Sequence, residues 1–218
     1  MSKRVLVALT ALFVVVAFAG GAFLYDRYGK ANVLAVNRAT ETLVRSHSPV
    51  IGPAQARVTI VEFFDPSCEA CRAFYPIVKQ IMAAYPAEVR LVLRYAPFHE
   101  GSDVAVAILE AAHLQNKFVP VLEALLANQP EWAIHGAPDL DKAWGSAGAA
   151  GLDVPSAKSL GSSPVFRRAL EQDVADLKAN NVRQTPTFFV NGKLLTDFGP
   201  QQLLDLVRSE VEQARKGT

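Results

Sequence analysis

Hydrophobic positions along the chain change their period several times, and each change marks a predicted element. The first apolar run, Val5 to Tyr25, is uncharged, with Lys3 and Arg4 before it and Asp26, Arg27 and Lys30 after it. About 20 apolar residues are enough to cross a bilayer as a helix. Basic residues ahead of such a run favour an orientation that leaves residues 1–4 in the cytoplasm and exports the rest. Ala17-Phe18-Ala19 also fits the small-x-small cleavage pattern of a signal peptide. Residues 5–25 are therefore expected to be either a membrane-spanning anchor or a removed signal, with 26–48 as a stalk or linker.

Beyond Pro49, Gly52 and Pro53, the run VTIVEFF (58–64) is β-branched and aromatic and predicts a strand. It lacks polar alternation, which suggests a central strand covered on both faces, and only Glu62 interrupts it. Asp65, Pro66 and Ser67 then offer turn and capping groups. Phe74, Ile77, Val78, Ile81, Met82 and Tyr85 follow at helical spacing, with Pro76 inside the pattern, where a kink is expected. VRLVLRYA (89–96) predicts a second strand. Residues 102–180 turn rich in Ala and Leu, with helical runs near 102–116, 117–128, 139–150 and 164–180 punctuated by prolines. Strand character returns in TFFV (187–190). Asn191-Gly192 is a two-residue hairpin signal, 193–198 should be the returning strand, and Leu203, Leu204, Val207 and Val211 mark a closing helix. This order implies a mixed central sheet flanked by helices, an α/β fold.

Composition narrows the function. The 218 residues carry a formal net charge of +1, so no charge excess points to nucleic acid. Two cysteines cannot staple a disulfide scaffold. They must do chemistry, bind a metal with other ligands, or be structural. Cys68-Glu69-Ala70-Cys71 lies where a strand hands over to a helix. The helix amino terminus carries partial positive charge and unpaired N–H groups, and both favour the reactive thiolate. Cys68, at the helix start, is expected to be exposed and acidic. Cys71, one turn on, is expected to be buried and placed to break a mixed disulfide at Cys68. A carboxyl in a two-sided apolar strand has a raised pKa, so Glu62 is a candidate proton relay to Cys71. A zinc site would need about four ligands, and His47, His99, His113 and His135 show no metal spacing, so no metal and no cofactor are expected. His99 and Glu100 follow the second strand in a loop, read as solvated with flanking of the site as the alternative, and Trp132 and Trp144 read as packing residues with lining of a substrate groove as the alternative.

EFFDPSCEACRAFYP (62–76), with a glutamate six residues before the first cysteine and a proline five after the second, resembles the active-site segment of the DsbA-like group of the thioredoxin superfamily. Gln184-Thr185-Pro186-Thr187-Phe188 resembles the superfamily's cis-proline loop, and the helical block resembles this group's insertion. The resemblance implies a thioredoxin-like fold with a first part at 49–98, a helical insertion at 99–180, a second part at 181–214 and a tail at 215–218. It implies Cys68 as nucleophile, Cys71 as resolving thiol, Pro186 as a cis residue facing them, and Thr185 as backbone for an extended substrate. The implied partners are exported proteins with cysteines and a membrane or extracytoplasmic redox partner that resets the site. Glu69 departs from the strongly oxidising Pro-His dipeptide of this group and should weaken the Cys68 thiolate. Two other classes stay open: a copper or zinc handling module using the thiolates, and a holdase for exported chains.

Overall fold

A computed structural model of the chain describes residues 20–21, 41–160 and 164–217. The expected anchor or signal at 5–25 lies outside these residues apart from Gly20 and Gly21. Among the described residues no helix is long and apolar enough to cross a membrane.

The apolar runs at 58–64 and 89–96 become β2 (Val58–Phe64) and β3 (Val89–Tyr95). They pair in parallel, with Glu62 opposite Leu93 and Phe63 opposite Arg94. A short edge strand β1 (Val50–Ile51) adds antiparallel to β3. β4 (Thr187–Val190) pairs antiparallel with β2, and β5 (Lys193–Leu194) with β4. The sheet order is β1-β3-β2-β4-β5, so β2 is central, as its two-sided apolar sequence requires.

The connections are helical. α1 (Glu69–Ala84) crosses from β2 to β3 and runs through Pro76. Between β3 and β4 come α2 (Ser102–Leu114), α3 (Phe118–Ala127), α4 (Gln129–Trp132), α5 (Leu140–Ala149), α6 (Val154–Leu160) and α7 (Pro164–Ala179). α8 (Pro200–Lys216) closes the fold.

Alternate residues of β2 serve two cores, because side chains on a strand point to opposite faces. Ile60 and Phe64 join the apolar faces of α1 and α8 and the interior of α2–α6 in one large cluster. Val61 and Phe63 point the other way, to Leu43, Leu177 of α7 and Val182. The helical block thus extends the first core instead of forming a separate one.

Three differences from the sequence reading have physical causes. The returning strand ends at Leu194 instead of residue 198. Leu195 still donates to the Phe188 carbonyl, but Phe198 then turns back so that its ring meets Phe74 at 4.5 Å. α6 falls where Pro155 suggested a break; the proline is the second residue of that helix, where its missing N–H costs no hydrogen bond. β1 is two residues long and carries no periodic signal. The hairpin at Asn191-Gly192 is present, with φ +48° and +83°, the positive values that a type I′ turn demands.

Candidate active site

The carboxyl ends of the parallel strands β2 and β3 lie side by side, and this places two loops together that are about thirty residues apart in sequence. The first, Asp65–Cys68, leads into α1. Cys68 is the cap residue of that helix, with extended backbone and no side-chain cap bond. Its sulfur therefore sits at the positive end of the helix. Both cysteines are free thiols. Cys71 is fully buried, and Cys68 is only 6% exposed. This corrects the expectation of an exposed Cys68: the 185–186 loop covers it, with Cys68 Sγ 3.4 Å from the Thr185 carbonyl. The Thr185–Pro186 peptide is cis. The fold thus brings Cys68, Cys71, Thr185 and Pro186 together, with Glu62 beneath them on the same face of β2.

The two thiols differ sharply in acidity. Hydrogen bonding from the Cys71 thiol, helped by the Thr185 side chain and the backbone N–H groups of Ala70 and Cys71, overcomes burial and lowers the Cys68 pKa to about 5. Burial pushes Cys71 far the other way, and its bond to Cys68 and the nearby Glu62 charge add to the rise. The Asp65 N–H, 3.5 Å from Cys71 Sγ, opposes this weakly.

Glu62 is 1% exposed, and among the described residues neither carboxyl oxygen has a hydrogen-bond partner. Burial, then the Cys68 charge, raises its pKa well above the usual carboxylate range. An unpaired buried carboxylate is costly, and the surroundings favour the protonated form.

Of the residues that shape this loop, sequence reasoning named Asp65 only as a turn or capping group and His99 only as a candidate flank, and it missed Ser102 and Gln129. Asp65 is fully buried. One oxygen accepts from the Ser67 N–H (2.8 Å) and the Ser102 hydroxyl (2.5 Å). The other accepts from the N–H groups of Phe98 and His99 and lies 2.7 Å from His99 Nδ1. His99 is therefore no solvated loop residue. Partial burial works against its charge, but the Asp65 bond and the charges of Asp65, Cys68 and Glu69 outweigh that and raise its pKa. Gln129, buried at the start of α4, donates to the carbonyls of Pro66 and Cys68 at 2.8 and 3.0 Å.

Glu69 is not an uncompensated charge either. His135 Nε2 lies 3.0 Å from its carboxylate, and that bond comes first among the causes holding Glu69 below the usual range. The other histidines are elsewhere: His47 meets Asp173 on the opposite face, and the His113 ring packs against Phe118. Trp132 is fully buried, with its indole N–H on the Leu125 carbonyl. Trp144 is partly buried, with Lys158 over its ring. No cluster of three or more His, Cys, Asp or Glu able to hold a metal occurs among the described residues.

Two concavities flank the cysteine turn. One, about 240 Å³, is lined by Ser67, Phe98, His99, Ile134 and His135. The other, about 460 Å³, runs past Pro186 and is lined by Gln184, Phe188, Leu194 and Phe198 among others. Phe98, Ile134, Leu194 and Phe198 are each about half exposed, so apolar surface rims the site on both sides.

The family model for thioredoxin matches residues 45–208. Among solved structures, a thioredoxin-like oxidoreductase from Silicibacter pomeroyi superposes with a TM-score of 0.69 at 30% identity, covering 81% of this chain and 97% of that one. BdbD from Bacillus subtilis gives 0.68 at 24% identity (76% and 94% covered), and the catalytic domain of Proteus mirabilis ScsC gives 0.67 at 20% (82% and 98%); these two likenesses concern the fold alone. Among curated proteins, a Na(+)/H(+) antiporter NhaA from Herminiimonas arsenicoxydans is 30% identical over 167 residues. That match covers 77% of this chain, and the chain spans about a quarter of the length of the antiporter.

Proposed function

The chain belongs to the thioredoxin family, and we propose that it is a DsbA-like oxidoreductase that exchanges disulfides with exported proteins through Cys68 and Cys71. The observation that carries this reading is geometric: Cys68 caps α1 against the Thr185 carbonyl and the cis Thr185–Pro186 peptide, with Cys71 buried one helical turn on, an arrangement that lowers the Cys68 pKa to about 5 and raises that of Cys71.

In the oxidising direction, a substrate thiolate attacks Cys68 Sγ of the Cys68–Cys71 disulfide. The S–S bond breaks, and Cys71 leaves with the electron pair and takes a proton, which in this proposal comes from Glu62. A second substrate thiolate attacks the substrate sulfur of the mixed disulfide and expels Cys68 as a thiolate. The substrate gains a disulfide, and the protein is left reduced by two electrons. A low Cys68 pKa makes it a good leaving group and stabilises the reduced form. Pairing of Glu69 with His135 removes part of the charge expected to weaken that thiolate. Both features favour donation of disulfides. Thr185 and the cis Pro186 lie against Cys68, where an extended substrate would meet it, with the adjoining groove for its flanking residues.

The rest of the reading concerns place and partners. Residues 5–25 would tether the domain to the membrane or direct its export, 26–48 would serve as a stalk, and the catalytic domain would lie outside the cytoplasm, where disulfides persist. A membrane or extracytoplasmic redox partner would reoxidise the pair. Cys71→Ala is the test, since it removes the internal attacker but keeps the activated thiol. Mixed disulfides with exported proteins should accumulate as reducible higher-mass species, and Cys68→Ala should give few. A folded, exported Cys71→Ala protein that traps nothing would overturn the proposal.

A further inference from the structure

We infer that His99, oriented by Asp65, is a positioning residue that places an imidazolium beside the Cys68 sulfur, supplying from a distant loop the positive charge that the Glu69-Ala70 dipeptide lacks. The inference rests on the reading of Cys68 as the attacking thiol and adds a residue to it.

The geometry is built around Asp65. Its carboxylate holds the N–H of Ser67, the residue before Cys68, and on its second oxygen the N–H and the Nδ1 of His99. One buried side chain therefore fixes the histidine relative to the cysteine turn. The parallel pairing of β2 and β3 makes this possible, because both loops emerge from the same end of the sheet. A purely structural loop would be served by the backbone bonds that Asp65 already accepts from Ser67, Phe98 and His99. The additional bond to the His99 ring orients an ionisable group beside the turn that carries Cys68, near enough for the Cys68 charge to act on it. The ring is further confined by an edge contact with His135, centroids 5.6 Å apart at 71°.

The charges facing His99 come from three elements. Asp65 stands on the β2–α1 loop, Cys68 and Glu69 at the start of α1, and His135 on the α4–α5 loop; Glu100 is its chain neighbour. Glu69 is paired with His135. The Asp65 charge is shared among three N–H groups and the Ser102 hydroxyl as well as the ring. His99 is thus not simply cancelled by its partner. It bears its charge below its own pKa, which its surroundings raise, so its help to the thiolate is present on the acid side and fades as the pH rises through the titration of His99.

Two variants of the full chain test this. His99→Asn keeps a neutral side-chain donor in reach of Asp65, and His99→Ala removes it. The readouts are the ultraviolet absorbance titration of the Cys68 thiolate, the equilibrium with glutathione against pH, and the melting temperature. Both variants are expected to raise the Cys68 pKa by roughly 0.5–1 unit, and to make the protein a three- to tenfold weaker oxidant at acid to neutral pH, converging on the wild type at higher pH. Restoration of wild-type acidity by His99→Asn would overturn the inference, since a neutral donor would then suffice. So would an unchanged Cys68 titration in both variants while the wild type remains acidic. A wild-type Cys68 that titrates in the ordinary thiol range would instead overturn the reading of the site itself.

Discussion

Two buried acid groups lie on opposite faces of the same sheet and are treated in opposite ways. On the α7 side, Arg94 is completely buried and donates to Asp173 at 2.8 and 3.1 Å and to Asp176 at 2.7 Å. Arg45 adds two bonds to Asp176 at 2.8 Å each, and His47 and the Tyr95 N–H close on Asp173. On the α1 side, Glu62 has the same depth and no hydrogen-bond partner among the described residues. A fold that only needed stability would pair or replace such an acid. The contrast sets a charge network that ties the segment 42–48 and α7 to the sheet against an acid for which we propose a proton-relay role.

Substitutions should break this comparison in order of size. Arg94→Met leaves Asp173 and Asp176 without their shared buried partner, and should cost about 3–5 kcal/mol in urea unfolding. A loss below about 1 kcal/mol would mean that the network does not hold α7. Glu62→Gln should instead leave the protein folded and slow the step in which Cys71 leaves or resolves the mixed disulfide by about a hundredfold, the low end of what proton transfer contributes. The attack by Cys68 should change less, and rapid-quench kinetics on a model disulfide reads both steps; equal slowing would return Glu62 to a packing role.

The pH dependence of stability sharpens the same contrast. Burial alone would raise the Asp176 pKa, but its bonds to Arg45 and Arg94 bring it below the usual value. Its contribution is present above the unfolded pKa of about 3.9 and is lost as the pH falls through the folded value. Glu62 has the opposite sign. Folding holds its proton, so its effect on stability worsens as the pH rises from the unfolded value of about 4.3. The melting temperature of Glu62→Gln minus that of the wild type should therefore grow between pH 4 and 8, and a flat difference would refute the neutral acid. The smallest effect is expected from Glu69→Gln. Glu69 and His135 are both more than half exposed, and solvent screens such pairs. A change of a few tenths of a unit in the Cys68 titration is expected; a whole unit would show that the His135 pair shields the sulfur poorly.

The parts of this molecule that were legible in its sequence are those written in local spacing. β2, α1, β3, the Asn191-Gly192 turn and α8 each carry their own period or turn chemistry, and Glu62 stood out because one acid interrupted an apolar strand. Asp65, His99, Ser102 and Gln129 carried no such signal. Their meaning arises when β2 pairs in parallel with β3 and the helical block folds back, and neither event leaves a periodicity. The burial of Cys68 was hidden for the same reason, since its cover comes from residues 185–186, more than a hundred positions away. Arg94, read as part of an apolar strand, has partners on α7 and at Thr42.

The Gln129 amide reaches from the helical block to the carbonyls of Pro66 and Cys68, and that sets a rule for recombining such proteins. Helical blocks can be exchanged between related chains to alter which surface rims the site, but a donor block must bring an amide to this same position. A chimera lacking it would leave the Pro66 carbonyl without this donor and the Cys68 carbonyl with the Arg72 N–H alone, and the graft would loosen the cysteine loop however well its own helices packed.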